Sequence, residues 1–214
     1  MPKVAIICEG KTERLFVNKL IRAYLPDLDI RGIEIGKCQG KGCGGGVSYE
    51  KFRKDLHAAI NDYDHITTFF DYYGLNYGWP EAEGNTPWER VEDLEAKTME
   101  AVHKDFPDLP QGVFIPFFAL HEFEALLFSD TAAMHRMLRQ PLAKFEAVIQ
   151  ECGEPELINN HPDTAPSKRL KNICDNYRKT VKGMRVAREI TVATMRQQCP
   201  HFNSWLVKLE ALVD

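Results

Sequence analysis

Apolar residues in the first part of the chain follow two alternating patterns. Short apolar or alternating runs, typical of strands, occupy residues 4–8, 31–37, 65–70 and 112–119. Between these runs, apolar residues recur at helical spacing over residues 12–24, 48–61 and 89–104. The patterns predict four strands separated by three helices.

Strands that alternate with helices are typical of a mainly parallel sheet with helices on its faces. After about residue 130 the strand patterns stop, and helical patterns continue. We therefore predict an α/β fold, with a core over residues 1–130 and a helical, basic extension over residues 131–214 packed on it. Pro116 lacks the N–H that a central strand requires, so the fourth strand is expected at an edge or a bulge.

Composition narrows the class of protein. The chain has 214 residues, of which 44% are hydrophobic and 27% charged, as in ordinary globular proteins. No apolar run approaches the roughly 18–20 residues of a membrane-spanning helix. The 6 cysteines lack the spacing of a disulfide scaffold. We expect a cytoplasmic protein with reduced thiols and no membrane partner.

Charge is distributed unevenly along the chain. Residues 1–130 have 14 Lys and Arg against 22 Asp and Glu, whereas residues 131–214 have 13 against 9. Residues 168–196 alone hold 9 basic and 2 acidic residues. The net charge of −4 therefore averages an acidic first part and a basic segment that is compatible with a polyanionic partner.

Acidic residues follow three of the predicted strands. Glu9 and Glu13 come after the first strand, Asp71 after the third, and Glu122 and Glu124 after the fourth. The carboxyl ends of parallel strands lie along one edge of a sheet, where open α/β folds bind their ligands. Grouped carboxylates repel one another without a cation, and Mg²⁺ or Mn²⁺ suits a site that handles phosphates. We predict a divalent metal site; solvated strand ends are the alternative.

The fourth strand runs into His121-Glu-Phe-Glu124. Only one of the two glutamates is expected to face the site, because helical residues two apart lie on different faces. His121 is a candidate base or ligand, with a hydrogen-bonding structural role as the alternative. The glycine-rich run over residues 40–46 does not match a Walker motif and is expected to form a turn near the site.

Residues 7–13, Ile-Cys-Glu-Gly-Lys-Thr-Glu, resemble the start of the TOPRIM fold, especially in the overcoming-lysogenization-defect (OLD) nucleases. Phe69-Phe70-Asp71 resembles the acidic strand end of that fold. The whole chain, including residues 121–128 and 164–169, resembles an uncharacterised prokaryotic TOPRIM-like family. Its members are often encoded beside AAA-type ATPases in mobile or defence-related loci.

This resemblance implies roles for individual residues. Glu9 resembles the TOPRIM glutamate, which binds metal or acts as a general acid–base, and Glu13 resembles the second metal-binding glutamate of OLD nucleases. Asp71 resembles the first aspartate of an Asp-x-Asp pair. Tyr73 occupies the position of the second aspartate. The resemblance therefore leaves three readings: Glu122 or Glu124 replaces the missing ligand, the protein binds a single metal, or it binds none.

The resemblance also implies a lysine that assists cleavage, and Lys168 is the candidate. Lys168 or Arg169 would neutralise the scissile phosphate, which gives a candidate catalytic set of Glu9, Asp71, His121, Lys168 and Arg169.

Basic residues recur around Tyr177 in the segment from 168 to 188. Such a segment can bind backbone phosphates, with a solvated helix face as the alternative. The candidate nucleic-acid-binding residues are Lys168, Arg169, Lys171, Arg178, Lys179, Lys182 and Arg185. Aromatic residues of the loop over 72–88 either stack on bases or pack this loop onto the C-terminal helices; they are Tyr72, Tyr73, Tyr77 and Trp79.

Together, these features and the resemblance imply a Mg²⁺- or Mn²⁺-dependent TOPRIM-type nuclease, or a nuclease-like subunit, in a defence or mobile-element system. Nucleic acid is the expected substrate, with DNA favoured over RNA. The resemblance implies an AAA-type ATPase as a possible protein partner, and a homo-oligomer is left open. The alternatives are a small-molecule phosphohydrolase on the same fold and a non-catalytic subunit that regulates an ATPase.

Overall fold

The structure is a computed structural model that describes residues 1–36, 46–158 and 164–213. Clustering of the chain gives two compact units, one of Met1–Leu120 with Ala211–Asp214 and one of His121–Glu210. We predicted a boundary near residue 130; Glu122 and Glu124, which precede it, have polar partners in the second unit. Residues 40–45 of the glycine-rich run lie outside the described residues.

The first unit is built on a parallel sheet of five strands. The central strands are β1 (Lys3–Cys8) and β3 (His65–Asp71), which pair with each other. β2 (Asp29–Glu34) pairs with the outer side of β1. β4 (Phe114–Ile115) and β5 (Phe118–Ala119) both pair with β3. Every pair is parallel, which confirms the predicted α/β fold.

The predicted fourth strand is split into β4 and β5 by Pro116 and Phe117. Across the split, the hydroxyl of Thr68 in β3 donates to the carbonyl of Phe117 (2.7 Å) and accepts from its N–H (2.9 Å). This side chain thereby replaces the ladder hydrogen bonds that the strand loses. The interruption lies between β4 and β5, the outer strands on this side of β3 among the described residues, which agrees with the edge position or bulge expected from Pro116.

Among the described residues of the first unit, three helices cover the sheet. α1 spans residues 11–24 and contains a π-helical stretch, Val17–Ile21, in which the helix widens. α2 is Tyr49–Ala59, and its N-cap Ser48 accepts a hydrogen bond from the backbone N–H of Lys51. α3 is Pro87–Asp105 and begins with a capping box between Thr86 and Glu89.

The core of the first unit lies where aromatic side chains from the sheet and helices meet. Phe52 of α2 contacts Phe70 of β3 and Phe114 of β4, with ring centroids 6.2 and 5.4 Å apart. Trp79 packs against this group, 5.2 Å from both Phe52 and Phe118. The loop that follows β3 is therefore anchored in the core of its own unit.

The second unit is helical in its described residues. Its helices, in chain order, are α4 (Glu124–Leu127), α5 (Thr131–Leu138), α6 (Leu142–Cys152), α7 (Pro166–Ile173), α8 (Met184–Ile190), α9 (Val192–Gln198) and α10 (Pro200–Glu210). A 3-10 turn covers Pro155–Leu157, and a π-helical turn, Lys179–Gly183, leads into α8. No helix in the described part of the chain combines the length and apolarity needed to cross a membrane.

One buried carboxylate caps the N-terminus of α10. Glu156 is 4% exposed, and its two oxygens each accept a hydrogen bond of 3.0 Å, from the backbone N–H groups of His201 and Phe202. These are amides that a helix leaves unpaired at its first turn. Burial raises the pKa of Glu156 to about 7, although the two amides lower it.

Candidate functional site

Glu9 and Asp71 stand at the carboxyl ends of the neighbouring strands β1 and β3. Cys8 is in register with Phe69, and the N–H of Glu9 donates to the carbonyl of Phe69 at 3.3 Å. Oε2 of Glu9 in turn accepts a hydrogen bond from the backbone N–H of Asp71 at 3.3 Å. The fold thus brings together two predicted metal ligands that are far apart in sequence.

The turn after β3 places a glycine against the Glu9 carboxylate. Tyr72–Gly74 forms one 3-10 turn, which Asp71 caps by accepting a hydrogen bond from the N–H of Tyr73 at 3.0 Å. A Cβ atom at Gly74 would lie 3.0 Å from Oε2 of Glu9 and 3.3 Å from Cβ of Asp71. Glycine therefore keeps clear a space beside the carboxylates that any other side chain would fill.

Glu13 lies in the first turn of α1. Its carboxylate folds back over the N-cap, since a Cβ atom at Gly10 would lie 3.3 Å from Oε2 of Glu13. An anionic side chain is favourable at this end of a helix, where backbone N–H groups point outward. The metal-binding role of Glu13 stays a prediction.

The two carboxylates at this edge are ligands of the kind that Mg²⁺ takes. Mg²⁺ is commonly held by one or two carboxylates, with water and substrate phosphate completing its ligands. Glu9 and Asp71 offer two half-buried carboxylates beside the space at Gly74. Within residues 1–36, 46–158 and 164–213, no three His, Cys, Asp or Glu side chains lie close enough together to hold a metal. The two carboxylates at this edge suit an ion that keeps water and substrate among its ligands.

Glu122 and Glu124 lie in the second unit, where Lys179 is paired with both. Nζ of Lys179 is 3.1 Å from Oε1 of Glu122 and 3.1 Å from Oε2 of Glu124. Glu124 is fully buried, and burial raises its pKa to about 7 against the lowering effect of Lys179. The ammonium thus supplies at these glutamates the positive charge that we had expected from a metal. Their role as metal ligands stays a prediction.

Glu122 also caps helix α7. The backbone N–H of Ser167 donates to Oε2 of Glu122 (2.8 Å), and the Ser167 hydroxyl donates to Oε1 (2.9 Å). Ala165, at the N-cap position, has no side chain that could do this. Burial alone would raise the pKa of Glu122, but Lys179 and Ser167 hold it below its usual value. Glu122 therefore remains charged.

Tyr177 completes this group, which we call the Lys179 cluster: Glu122, Glu124, Ser167, Tyr177 and Lys179. The hydroxyl of Tyr177 donates to Oε1 of Glu124 at 3.5 Å. A Cβ atom on residue 183 would lie 2.6 Å from that hydroxyl, so the tyrosine reaches Glu124 only because residue 183 is glycine. Both ends of the π-helical turn therefore contribute to the cluster: Lys179 supplies the ammonium, and Gly183 leaves room for the Tyr177 hydroxyl.

His121 is buried at the start of the second unit. Burial lowers its pKa to about 4, although the charge of Glu122 acts in the opposite direction. The imidazole is therefore neutral near pH 7, which is the form that accepts a proton or binds a metal. Its role as base or ligand stays a prediction.

Four of the predicted phosphate-binding residues are exposed, namely Lys168, Lys171, Arg178 and Arg185. The other three have partners within the second unit. Arg169 is bonded to Glu151 through both terminal nitrogens, at 2.8 and 2.6 Å, and its side chain is only 10% exposed. It ties α7 to α6, so the phosphate contact predicted for Arg169 requires this pair to open.

The two remaining lysines are also engaged. Lys179 lies between the two glutamates already described, and Lys182 donates to Asn176 with the Sγ atom of Cys174 at 3.4 Å. Because paired carboxylates neutralise the charge of Lys179, we expect it to add little to the attraction for phosphate. Contact of either lysine with nucleic acid stays a prediction.

The Lys179 cluster was not foreseen as a unit, although the sequence contains a signal for it. Glu122 and Glu124 lie in an otherwise largely apolar run over residues 121–128. Carboxylates in such a run are buried and require a cation or hydrogen-bond donors nearby. The basic segment that begins at residue 168 supplies such a cation, but periodicity does not show which of its lysines turns inward.

The parallel sheet, its covering helices and the carboxylate pair at adjacent strand ends define an α/β protein with a candidate site at a strand edge. A family model described as "Domain of unknown function (DUF4276)" matches residues 8–210. The chain therefore belongs to this family, in agreement with the uncharacterised family that we expected. No curated protein and no solved structure matches the chain.

Proposed function

We propose that this protein is a Mg²⁺- or Mn²⁺-dependent phosphodiesterase that cleaves nucleic acid and is related to the TOPRIM-type OLD nucleases. The observation that carries the proposal is the hydrogen bond from the Asp71 N–H to the Glu9 carboxylate, which holds two acidic residues together at adjacent strand ends. This edge is where open α/β folds bind ligands. The resemblance of residues 7–13 to the TOPRIM start supports the same assignment.

In the proposed reaction, Glu9 and Asp71 hold the metal, and the space kept clear by Gly74 admits the scissile phosphate. A bound divalent ion supplies charge stabilisation on phosphate oxygens and acidifies water. One oxygen of Glu9 is oriented by the N–H of Asp71. Glu9 would act as the general base that takes the proton of the water attacking phosphorus, while the P–O bond to the leaving oxygen breaks and that oxygen takes a proton from solvent.

The exposed cations of the second unit supply long-range attraction for the substrate. Lys168 and Lys171 are exposed on α7, and Arg178 and Arg185 lie exposed before and within α8. Positive charges of this kind attract a phosphate backbone without reading its sequence. Of the two cations that the resemblance offers for the scissile phosphate, Lys168 is exposed, whereas Arg169 is paired with Glu151.

The test is cleavage by the full chain with Mg²⁺ or Mn²⁺, on single-stranded and duplex DNA and RNA. Glu9→Gln and Asp71→Asn should each lower the cleavage rate by at least about 100-fold and weaken Mn²⁺ binding in calorimetry. Asp29→Asn is the matched control, because Asp29 is an exposed carboxylate at the start of β2. Cleavage that persists in both site variants would overturn the assignment.

The same experiment separates the alternatives. Hydrolysis of small phosphate esters that does not depend on Lys168, Lys171, Arg178 and Arg185 would favour a small-molecule phosphohydrolase. Absence of metal binding, together with stable co-purification of an ATPase, would favour a non-catalytic subunit. We further propose that the protein acts in the cytoplasm with an AAA-type ATPase and prefers DNA to RNA.

A further inference from the structure

Two tyrosines in the segment after Asp71 have exposed side chains. Tyr73 is 41% exposed and Tyr77 is 74% exposed. Trp79 of the same segment is turned inward, where its Nε1 donates to the carbonyl of Val47 at 2.8 Å. The segment is thus fixed to the core through Trp79, while the two tyrosine rings remain at the surface.

The backbone beneath each exposed ring is held in place. The N–H of Tyr73 donates to Oδ1 of Asp71, and the carbonyl of Tyr77 accepts from the N–H of Tyr49 at 3.4 Å. The ring of Tyr73 also packs edge-on against Tyr72, with centroids 4.8 Å apart. Rings on an ordered backbone lose little conformational freedom when a ligand binds, so they are suited to recognition.

Tyr73 is also placed next to the proposed reaction site. Its backbone N–H is bonded to Asp71, and the next residue, Gly74, lies against the carboxylate of Glu9. A strand whose phosphate is bound at Glu9 and Asp71 would therefore pass the turn that carries this ring. Exposed aromatic rings beside a phosphate-binding groove are how proteins hold single strands, since every base has a face that can stack.

We propose that Tyr73 and Tyr77 form a stacking platform for the bases of a single-stranded nucleic acid whose backbone passes Glu9 and Asp71. This inference rests on the proposed function and specifies its substrate. Bases in a duplex are already stacked on their neighbours and cannot cover these rings without being pulled out. At the position where the resemblance has a second acidic ligand, this chain thus has a group that binds bases.

The test measures binding without cleavage. Fluorescence anisotropy of a labelled 12-nucleotide single strand is recorded with Ca²⁺ for the full chain and for Tyr73→Ala, Tyr77→Ala and Tyr73→Phe. Tyr73→Ala should raise Kd about 5- to 50-fold and Tyr77→Ala by a smaller factor, because each removes a stacking surface. Tyr73→Phe should stay within about twofold of the unchanged protein, since it keeps the ring.

An abasic strand of the same length separates stacking from a structural effect. It keeps the phosphates but offers no bases, so Tyr73→Ala should change its Kd by less than about twofold. The platform would be overturned if Tyr73→Ala lost affinity equally for both strands or lost none for the normal strand. It would also be overturned if the protein bound a duplex more tightly than a single strand. Failure of the unchanged protein to bind any oligonucleotide at low salt would do the same.

The outcome is distinguishable from failure of the proposed function. If Glu9→Gln abolishes cleavage while Tyr73→Ala binds normally, the reaction site stands and the platform is wrong. If Tyr73→Ala loses base-dependent binding while no variant affects cleavage, the platform stands and the carboxylate assignment is wrong.

Discussion

The side-chain amide of Asn18 forms two hydrogen bonds with the backbone of Gly32, accepting from its N–H at 2.9 Å and donating to its carbonyl at 3.3 Å. Gly32 lies in β2, whose other side pairs with β1. The amide of Asn18 therefore forms hydrogen bonds with the N–H and carbonyl of an outer strand, which a further strand could otherwise bind. Exposed strand edges favour aggregation, and proteins commonly block them.

Asn18→Ala should lower the free energy of unfolding by about 1–3 kcal/mol, because it leaves the two backbone groups of Gly32 without these partners. It should also increase self-association. Chemical denaturation and light scattering measure the two effects. Asn61→Ala, at an exposed position after α2, is the matched control and should change neither quantity. Unchanged stability and a monodisperse solution of Asn18→Ala would contradict the blocking role.

Two buried threonines should respond in opposite ways to the same substitution. Thr68→Val removes both hydrogen bonds to Phe117 and should destabilise by about 2–4 kcal/mol. Thr98 in α3 is fully buried, and in the described part of the chain its Oγ1 has no hydrogen-bond partner. Thr98→Val should therefore be neutral or stabilising by up to about 1 kcal/mol. Urea titrations of both variants test the pair, and similar losses would refute the contrast.

Lys179→Met should destabilise the protein by about 2–4 kcal/mol, because it leaves Glu122 and the buried Glu124 without their cation. Adding Glu124→Gln should recover part of the loss, since the buried charge is then absent. A double-mutant cycle in chemical denaturation measures this coupling. Lys171→Met, at an exposed site in α7, is the control and should have little effect. Additive losses in the double variant would argue against the cluster.

Glu156 should make stability fall as pH rises. Its pKa is raised by burial from 4.5 to about 7, so the folded state keeps a proton that the unfolded chain has released. The contribution of Glu156 to the free energy of unfolding is therefore fully present below pH 4.5. It decreases by up to about 3 kcal/mol as the pH rises to 7. Glu124, whose pKa is also raised, should likewise make the protein less stable as pH rises. The pKa of His121 is lowered to about 4, so its contribution to the free energy of unfolding should decrease as pH falls below 6.5.

Glu156→Gln isolates this contribution, because it removes the titrating group. Relative to the unchanged protein, the variant should gain about 2–3 kcal/mol between pH 4.5 and pH 8 in urea unfolding. Glu146→Gln, at an exposed position in α6, should leave the pH dependence as it is. Parallel stability curves for Glu156→Gln and the unchanged protein would show that Glu156 does not titrate in this way.

Local patterns were sufficient to predict the first three strands and their parallel order. The run of apolar residues in β1 is buried on both faces of the sheet, so its burial is visible in the sequence itself. Pro116 indicated where the fourth strand is interrupted, but not which hydrogen bonds replace those that the strand loses. Thr68 lies far from Phe117 in sequence, and no local pattern indicates that its hydroxyl replaces the missing ladder bonds.

The candidate site was predictable only as far as strand ends determine it. Glu9 and Asp71 meet because parallel strands end along one edge, which is a rule of topology. The direction of each basic side chain is set by tertiary packing, so exposed Lys171 and paired Lys179 look alike in sequence. For the same reason, the sequence did not show that Trp79 packs against the core while Tyr77 is exposed.

The π-helical stretch Val17–Ile21 affects how α1 can vary. A π-helical turn contains about one residue more than an α-helical turn, and each α-helical residue rotates the chain by about 100°. Deleting one residue between positions 17 and 21 would therefore turn Glu13 by about 100° around the helix axis relative to Arg22. The additional residue therefore fixes how the two ends of α1 are rotated relative to each other about the helix axis. One end carries Glu13 near the carboxylate pair, and the other carries Arg22, which pairs with Asp29 at the start of β2.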